Sequence, residues 1–441
     1  MKTHFKILAT LLLFTTAQRI SSQEINPQDK VLSMEQVFDL AAKNSEQLKI
    51  ASKGTELAHQ KIEIVKLGQL PALNTGINYG YVSNSEIWDP SFKNHQTAPI
   101  PHNLTQVSLQ ASEVLFKGGE IKNNIQRARL EEQTSALTLE KSIVDVKFAA
   151  AAKYLEIYRA INQKQVYLNN LALAQERLKN IIAMQKQGMI TNNDVLRNKL
   201  IVSDLELAIR KTDNSIEILN RQLNILTGMD EHFMLQPDTS LLQKSYSDDS
   251  IDILLRETYS SNQELKIAHT ENDIAQTNIK LSATDKYPEL SIFAASNFQR
   301  PYVNAIPALD IYYNVWQAGV SLKYNIGSIY QAPRKTKAAE IIYEQAKQKE
   351  TLTRQQVDVS VHTAYIRYHE AKDDLKTYTA DLESAVENYR IVEKKYFNQL
   401  SLLTDMIDAT NIKIEAELKV TNAQIEIIYA WYQILKVTGK I

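Results

Sequence analysis

The sequence predicts a mainly α-helical protein of long antiparallel coiled coils with four β-strands per protomer, internally duplicated, whose strands complete a membrane β-barrel together with other copies of the chain. Three observations predict it. The chain repeats itself once, it has too few Gly and Pro to punctuate a compact α/β fold, and its hydrophobic period changes from helical to strand-like at matching places in the two copies. In 441 residues there are only 11 Gly and 10 Pro, so long uninterrupted elements are expected.

The repeat is read directly. Leu48-Lys49-Ile50-Ala51 returns as Leu265-Lys266-Ile267-Ala268, and Leu70-Pro71-Ala72-Leu73 as Tyr287-Pro288-Glu289-Leu290, both at an offset of about 217 residues. Val107-Ser108-Leu109 recurs as Val320-Ser321-Leu322, Val144-Asp145-Val146 as Val357-Asp358-Val359, and Leu226-Thr227-Gly228 as Val437-Thr438-Gly439, with the offset drifting to about 211. A unit of this size is far longer than a solenoid repeat and argues for two pseudo-equivalent halves. The expected division is a signal peptide over residues 1–22, a first repeat over 23–228, a linker over 229–247 and a second repeat over 248–441. Lys2 and Lys6, the apolar run Ile7 to Phe14 and then Ser21-Ser22 carry the signal-peptide reading.

The elements follow in order. Ser33 is placed to cap a short helix over Met34–Lys43, and Asn44 or Ser45 begins a second that runs to about Leu70, where Pro71 stops it. From Leu73 the pattern alternates: Leu73, Thr75, Ile77, Tyr79 and Tyr81 share one face, and Asn74, Gly76, Asn78 and Gly80 the other. A second strand sets Val107, Leu109 and Ala111 against Ser108 and Gln110. In the other copy Leu290, Ile292, Ala294 and Phe298 form one stripe, and Trp316, Ala318, Val320, Leu322, Tyr324 and Ile326 form another. From Lys117 to Gln187 nothing breaks a helix beyond Gly118-Gly119 at its head, which allows about 70 residues, roughly 105 Å at the α-helical rise. Its counterpart shows a coiled-coil seam, Val357, Val361, Ala364, Tyr368, Ala371, Leu375, Tyr378, Leu382, Ala385, Tyr389, Val392 and Tyr396. Short turns at Gly188–Asn193 and Gln399–Thr404 then lead into return helices of about 34 residues that end at Gly228 and Gly439. The helix before each strand pair and the return helix together match the long helix in length, so the two stack end to end beside it.

Composition narrows the function classes. Without the first 22 residues the formal charge moves from −1 to about −4, which disfavours nucleic acid as a partner. Cys is absent, so disulfides, thiolate metal sites and a lipidated N-terminal Cys are excluded. No further apolar stretch is long enough for a transmembrane helix, which leaves a β-barrel as the route across a bilayer. Four strands with one apolar face cannot close alone, so their edges are expected to pair with other copies. Tyr79, Tyr81, Trp88, Tyr302, Tyr312, Tyr313, Trp316 and Tyr324 suit interfacial girdles. No nucleophile motif or phosphate loop is present, and His362 and His369, one heptad apart with no third ligand nearby, do not make a metal site. Neither enzyme activity nor a cofactor is expected.

The order helix, helix, strand, strand, long helix, return helix, given twice, resembles the TolC-like outer-membrane efflux protein family across nearly the whole chain. The most specific match is Tyr396-Phe397-Asn398-Gln399-Leu400-Ser401-Leu402-Leu403-Thr404-Asp405-Met406-Ile407-Asp408-Ala409-Thr410, which is similar to the family's segment at the periplasmic tip of its helical tunnel. The resemblance implies a homotrimeric channel in the outer membrane extending into the periplasm, the passive exit duct of a tripartite efflux or type I secretion system. It implies as partners a periplasmic adaptor and an inner-membrane pump of RND or ABC type. It also implies a gate at the tip. Asp405 and Asp408 would form two acidic rings, Gly188, Asn193 and Asp194 would belong to the facing turn, where Asp194 would accept hydrogen bonds that help latch the closed gate, and Tyr396 would match a latch partner. Ser401 stands where the best-studied member has Arg, and Gln399 where Gly is usual, so the latch is expected to be wired differently. The loops over residues 84–104 and 299–314 would face outside. The alternative from another class is a secreted coiled-coil scaffold or adhesin without a channel.

Overall fold

A computed structural model describes residues 30–244, 246, 248–305 and 307–441; the expected signal peptide lies outside them. The chain runs through β1 (Lys30–Leu32), α1 (Met34–Asn44), α2 (Glu46–Lys66), β2 (Ala72–Tyr81), β3 (Ser85–Trp88), β4 (His95–Ala98), β5 (Asn103–Phe116), α3 (Glu120–Lys186) and α4 (Asn192–Thr227). It continues through β6 (Leu235–Pro237), α5 (Ile251–Ser261), α6 (Gln263–Thr284), β7 (Glu289–Arg300), β8 (Tyr313–Lys323), α7 (Ser328–Phe397) and α8 (Leu403–Val437). The order helix, helix, strand, strand, long helix, return helix thus occurs twice.

Local chemistry explains the boundaries. Ser33 caps α1 reciprocally with Gln36: the serine hydroxyl accepts from Gln36 N, and the Gln36 side chain accepts from Ser33 N. The second helix stops at Lys66 and tightens into a 3-10 turn, Leu67–Gln69, before Pro71; the expected end at Leu70 is therefore one turn too late, because the last turn before a proline shortens. The long helices have 67 and 70 residues, about 100 Å each. Pro333 lies in the second turn of α7, past the first turn where proline is free of cost, so the helix forgoes one i→i−4 backbone bond close to its start. α4 ends on Gly228 at φ 67, and a Cβ there would meet Asn44 Cβ at 2.6 Å, so both backbone and neighbour require glycine.

That close approach ties the return helices to the helix pairs above. Asn44 Nδ2 donates to Thr227 O in the first half, and Ser261 Oγ donates to Thr438 O in the second. α2 packs on the first part of α3, where His59 Nδ1 lies 2.8 Å from Glu132 Oε1, and α4 packs on the remainder, where Lys164 pairs with Asp213. The two shorter helices therefore stack end to end beside the long one.

One antiparallel sheet has the order β2-β5-β7-β8. Its register aligns Leu73, Ala111, Ala294 and Ala318, then Thr75, Leu109, Ser296 and Trp316, on one face. The other face carries Gly76, Ser108, Asn297 and Val315 in one row and Asn74, Gln110, Ala295 and Gln317 in another. One face is therefore apolar and the opposite face mainly polar, with β2 and β8 as unpaired edges. β8 ends at Lys323, short of Tyr324 and Ile326, so the alternation overran the ladder there.

Two small pairings were not expected from the sequence. The loop after β2 folds into the β3–β4 hairpin, closed by Asp89 accepting from Ser91 N and Lys93 N and by Trp88 stacked on His95. β1 and β6 pair in parallel beneath the main core, where Tyr154 OH donates to Leu32 O and accepts from Asp238 N. That core gathers Met34, Val37, Ala150, Tyr154, Leu223 and Ile425 at the level where the helices meet. A separate apolar cluster lies at the opposite end of the long helices, under the two turns.

Candidate functional site

The turns that join α3 to α4 and α7 to α8 come together at one end of the molecule. Both close their helix in the same way. Met189 N bonds Met184 O across six residues and Gly188 adopts φ 75; Leu400 N bonds Lys395 O and Gln399 adopts φ 60. A left-handed residue thus terminates each long helix, and each return helix begins four residues later.

The start of α4 is held by a full capping box. Asp194 Oδ2 accepts from Thr191 N at 2.9 Å and from Thr191 Oγ1 at 2.8 Å, and Asp194 N donates back to Thr191 Oγ1. At the start of α8, Asp405 Oδ2 accepts from Leu402 N at 3.0 Å, but leucine has no atom with which to return the bond. Asp408 lies one turn further on and both acids are exposed, so the carboxylates share a solvent-facing side across the first two turns. Asn193 is exposed in the first turn of α4.

Tyr396 is buried and its hydroxyl forms no hydrogen bond among the described residues. Burial raises its pKa, with the Asp194 carboxylate adding to the rise and the Arg177 charge opposing it. Asp194 and Tyr396 are therefore brought near one another, but Asp194 spends its hydrogen-bonding on Thr191 of its own turn. Ser401 Oγ is likewise buried without a partner. Beneath the turns Ile181, Val195, Tyr389, Tyr396, Leu403 and Met406 form a closed apolar plug, while Met189, Leu400 and Leu402 project into solvent at the very end.

A polar cluster behind this plug was not singled out from the sequence. Arg177 of α3 is 3% exposed; its Nη1 donates to Thr410 Oγ1 at 3.0 Å and its Nη2 to Tyr389 OH at 2.8 Å. Tyr389 OH donates in turn to Glu393 Oε1 at 2.6 Å. The signal was available: Asn170, Ala174, Arg177 and Ile181 follow four-three spacing, so Asn170 and Arg177 are polar residues in the buried seam of a coiled coil. No His, Asp or Glu grouping suited to a metal ion occurs among the described residues, and no described helix is long and apolar enough to cross a membrane.

A family model described as outer membrane efflux protein matches residues 37–228 and 254–440. Solved structures share the architecture. VceC of Vibrio cholerae, an outer membrane protein, is 13% identical, with 92% of this chain and 96% of that chain covered at a TM-score of 0.74. The CmeC outer membrane channel of Campylobacter jejuni is 15% identical over 92% of this chain and 85% of its own, at 0.73. The open state of the MtrE outer membrane channel of Neisseria gonorrhoeae is 15% identical over 92% and 88%, at 0.70. A search of curated protein sequences returns no match.

Proposed function

This chain belongs to the outer membrane efflux protein family, and from that premise we propose that three copies form the passive exit duct of a tripartite efflux or type I secretion system, opened at the helical tip when an adaptor and an inner-membrane pump dock. The family is one of outer-membrane channels, not of enzymes, and this protein lies in the outer membrane and reaches into the periplasm.

The observation that carries the shared-barrel reading is that both edges of the protomer's sheet lack partners among the described residues, while the number three follows the family. β2 and β8 each bond a single neighbour. Below them, exposed Ile50, Leu57 and Ile64 recur each heptad on α2, and exposed Leu352, Val359 and Ile366 do the same on α7 at the other edge. Open strand edges and apolar rows invite association in water, and an open edge is not viable in lipid. Placing β8 of one copy against β2 of the next closes an antiparallel barrel with an even number of strands, its apolar face outward and its polar face lining the lumen. Exposed Tyr79 and Tyr81 at the loop end and Tyr287 and Tyr324 at the helix end are suited to the two interfaces.

At the other end, threefold repetition would set Asp405 and Asp408 as two acidic rings around the pore, concentrating cations and binding divalent ions that block it. The exposed Met189, Leu400 and Leu402 offer an adaptor apolar contacts at the tip. Asp194, Asn193, Tyr396 and Ser401 stand beside those rings, and the unbonded hydroxyls of Tyr396 and Ser401 are available to latch the closed state. The repeats 23–228 and 248–441, joined through 229–247, serve as the two halves of each protomer. Nothing in the chain supplies energy, which is left to the pump.

The test is single-channel conductance of the purified protein in a planar bilayer, with and without divalent cations, beside the double variant Asp405→Asn and Asp408→Asn. Small cation-preferring currents, blocked by divalents in the parent and unblocked in the variant, are expected. A well-folded protein that stays monomeric and passes no current would overturn the reading.

A further inference from the structure

We propose that Arg177 is the positioning residue of the constriction: its guanidinium locks α3 to α7 and α8 just above the tip and thereby holds the pore closed within each protomer. The inference rests on the channel reading above and adds a residue role to it.

The case begins with how the helices meet. α3 is joined to α8 by a series of polar rungs. Arg159 pairs with Glu426 at 2.8 Å, Gln163 Nε2 donates to Asn422 Oδ1 at 2.9 Å, and Asn170 donates to Glu417 at 2.6 Å while accepting from Lys413 at 3.2 Å. The Arg159–Glu426 and Gln163–Asn422 rungs are partly exposed and can exchange their partners for water, whereas the Asn170 rung is buried. The rung nearest the tip is different. Arg177 is more deeply buried than Arg159 and bonds two helices at once, α8 through Thr410 and α7 through Tyr389.

Its bonds are fixed in direction. The Thr410 hydroxyl spends its proton on Met406 O, at 2.7 Å, and therefore presents a lone pair to the arginine. Burial pushes the Tyr389 phenol up to about 12, so it stays protonated, donates to Glu393 and accepts from Arg177. The positive charge thus reaches its nearest bonded carboxylate only through a phenol. A guanidinium is a rigid fork, and each of its two ends here has one acceptor on a different helix. Sliding or parting α7 and α8 from α3 breaks both bonds and leaves a charge buried without partners, which an apolar contact at the same place would not penalise. Arg177 therefore reads the relative position of the three helices directly behind the plug of Tyr396, Leu403 and Met406.

The test compares Arg177→Met, Tyr389→Phe and Arg177→Lys with the parent protein in planar bilayers without an adaptor, each checked for an unchanged heat-stable trimer and helical circular dichroism. Arg177→Met keeps an unbranched apolar stem, stops short of the guanidinium and leaves no buried charge. It is expected to raise the open probability at neutral pH at least about tenfold, the low end for losing a hydrogen bond to a charged group. Tyr389→Phe should raise it less, since the Thr410 bond survives, and Arg177→Lys should fall between parent and methionine variant because an ammonium does not span both acceptors. Parent-like gating in both Arg177→Met and Tyr389→Phe overturns the role of Arg177 while leaving the channel reading intact. Absence of current from the parent itself counts against the channel reading instead. Should Arg177→Met fail to assemble, Tyr389→Phe decides alone.

Discussion

The two turns at the tip have the same backbone course but different side chains, and the difference locates the looser one. In the first turn the left-handed residue is Gly188; in the second it is Gln399. An L-residue with a Cβ costs about 1–2 kcal/mol in that conformation and glycine costs nothing. Before the return helix, Ile190 packs with Val195 in the first turn, a hydrophobic staple, whereas the matching pair in the second is Ser401 and Met406. The cap is Thr191 in a reciprocal box with Asp194 at one turn, and Leu402 with a one-way bond to Asp405 at the other. Each local device is weaker where Asp405 and Asp408 sit. That turn is held chiefly by what packs beneath it, so it can be released as a unit when those contacts change.

The comparison is broken most severely by removing that packing. Met406 is fully buried in the plug, and Met406→Ala is expected to cost about 2–5 kcal/mol, while Val195→Ala under the first turn costs about 1–2. Amide hydrogen exchange over residues 396–410 and 184–198 of the intact protein reports both. Met406→Ala should speed exchange through the second turn alone; equal loosening of both turns would mean that the plug holds the tip as a single body.

A smaller effect isolates the backbone. A Cβ at Gly188 meets nothing within 4 Å, so Gly188→Ala pays only the left-handed conformation, about 1 kcal/mol. Gln399→Gly is the opposite change and should gain up to about 1 kcal/mol in the folded turn, less whatever glycine adds to the entropy of the unfolded chain. Chemical denaturation monitored at the tip should therefore move in opposite directions for the two variants. Movement in the same direction would show that the turns do not share a conformation in solution.

Most of the architecture is written in periodicity. The seam from Val357 to Tyr396 is buried or half-buried throughout, the four long strands occur where alternation predicts them, and Gly228 and Gly439 end the return helices in the left-handed conformation. Short pairings escaped because they depend on contacts distant in sequence. Three residues of β1 carry no period, and they pair with Leu235–Pro237 only because α1 and α3 bring the segments together. The β3–β4 hairpin rests on the Asp89 side chain rather than on a hydrophobic pattern. At the tip, residue types identify Asp194 and Asp405 but not the atoms they bond, since a carboxylate three residues into a helix serves its own cap as readily as a neighbour. Arg177 escaped for a related reason: a long cation in a seam position is legible as unusual, but its acceptors lie on two helices more than 200 residues away.

The finest test of the contrast is to give the second turn the cap it lacks. Leu402 is 70% exposed, so Leu402→Thr sacrifices little packing. A threonine hydroxyl at that position can accept from Asp405 N while the Asp405 carboxylate keeps its bond to residue 402 N, completing the arrangement seen at Thr191 and Asp194. The expected gain is about 0.5–1 kcal/mol, seen as slower exchange of the Asp405 amide and, in bilayers, as fewer spontaneous openings. Slower exchange with unchanged openings would separate the stability of the turn from the gate, and would place the controlling contact deeper, at the level of Arg177. No slowing at all would mean that the second turn owes its looseness to Gln399 rather than to its missing cap.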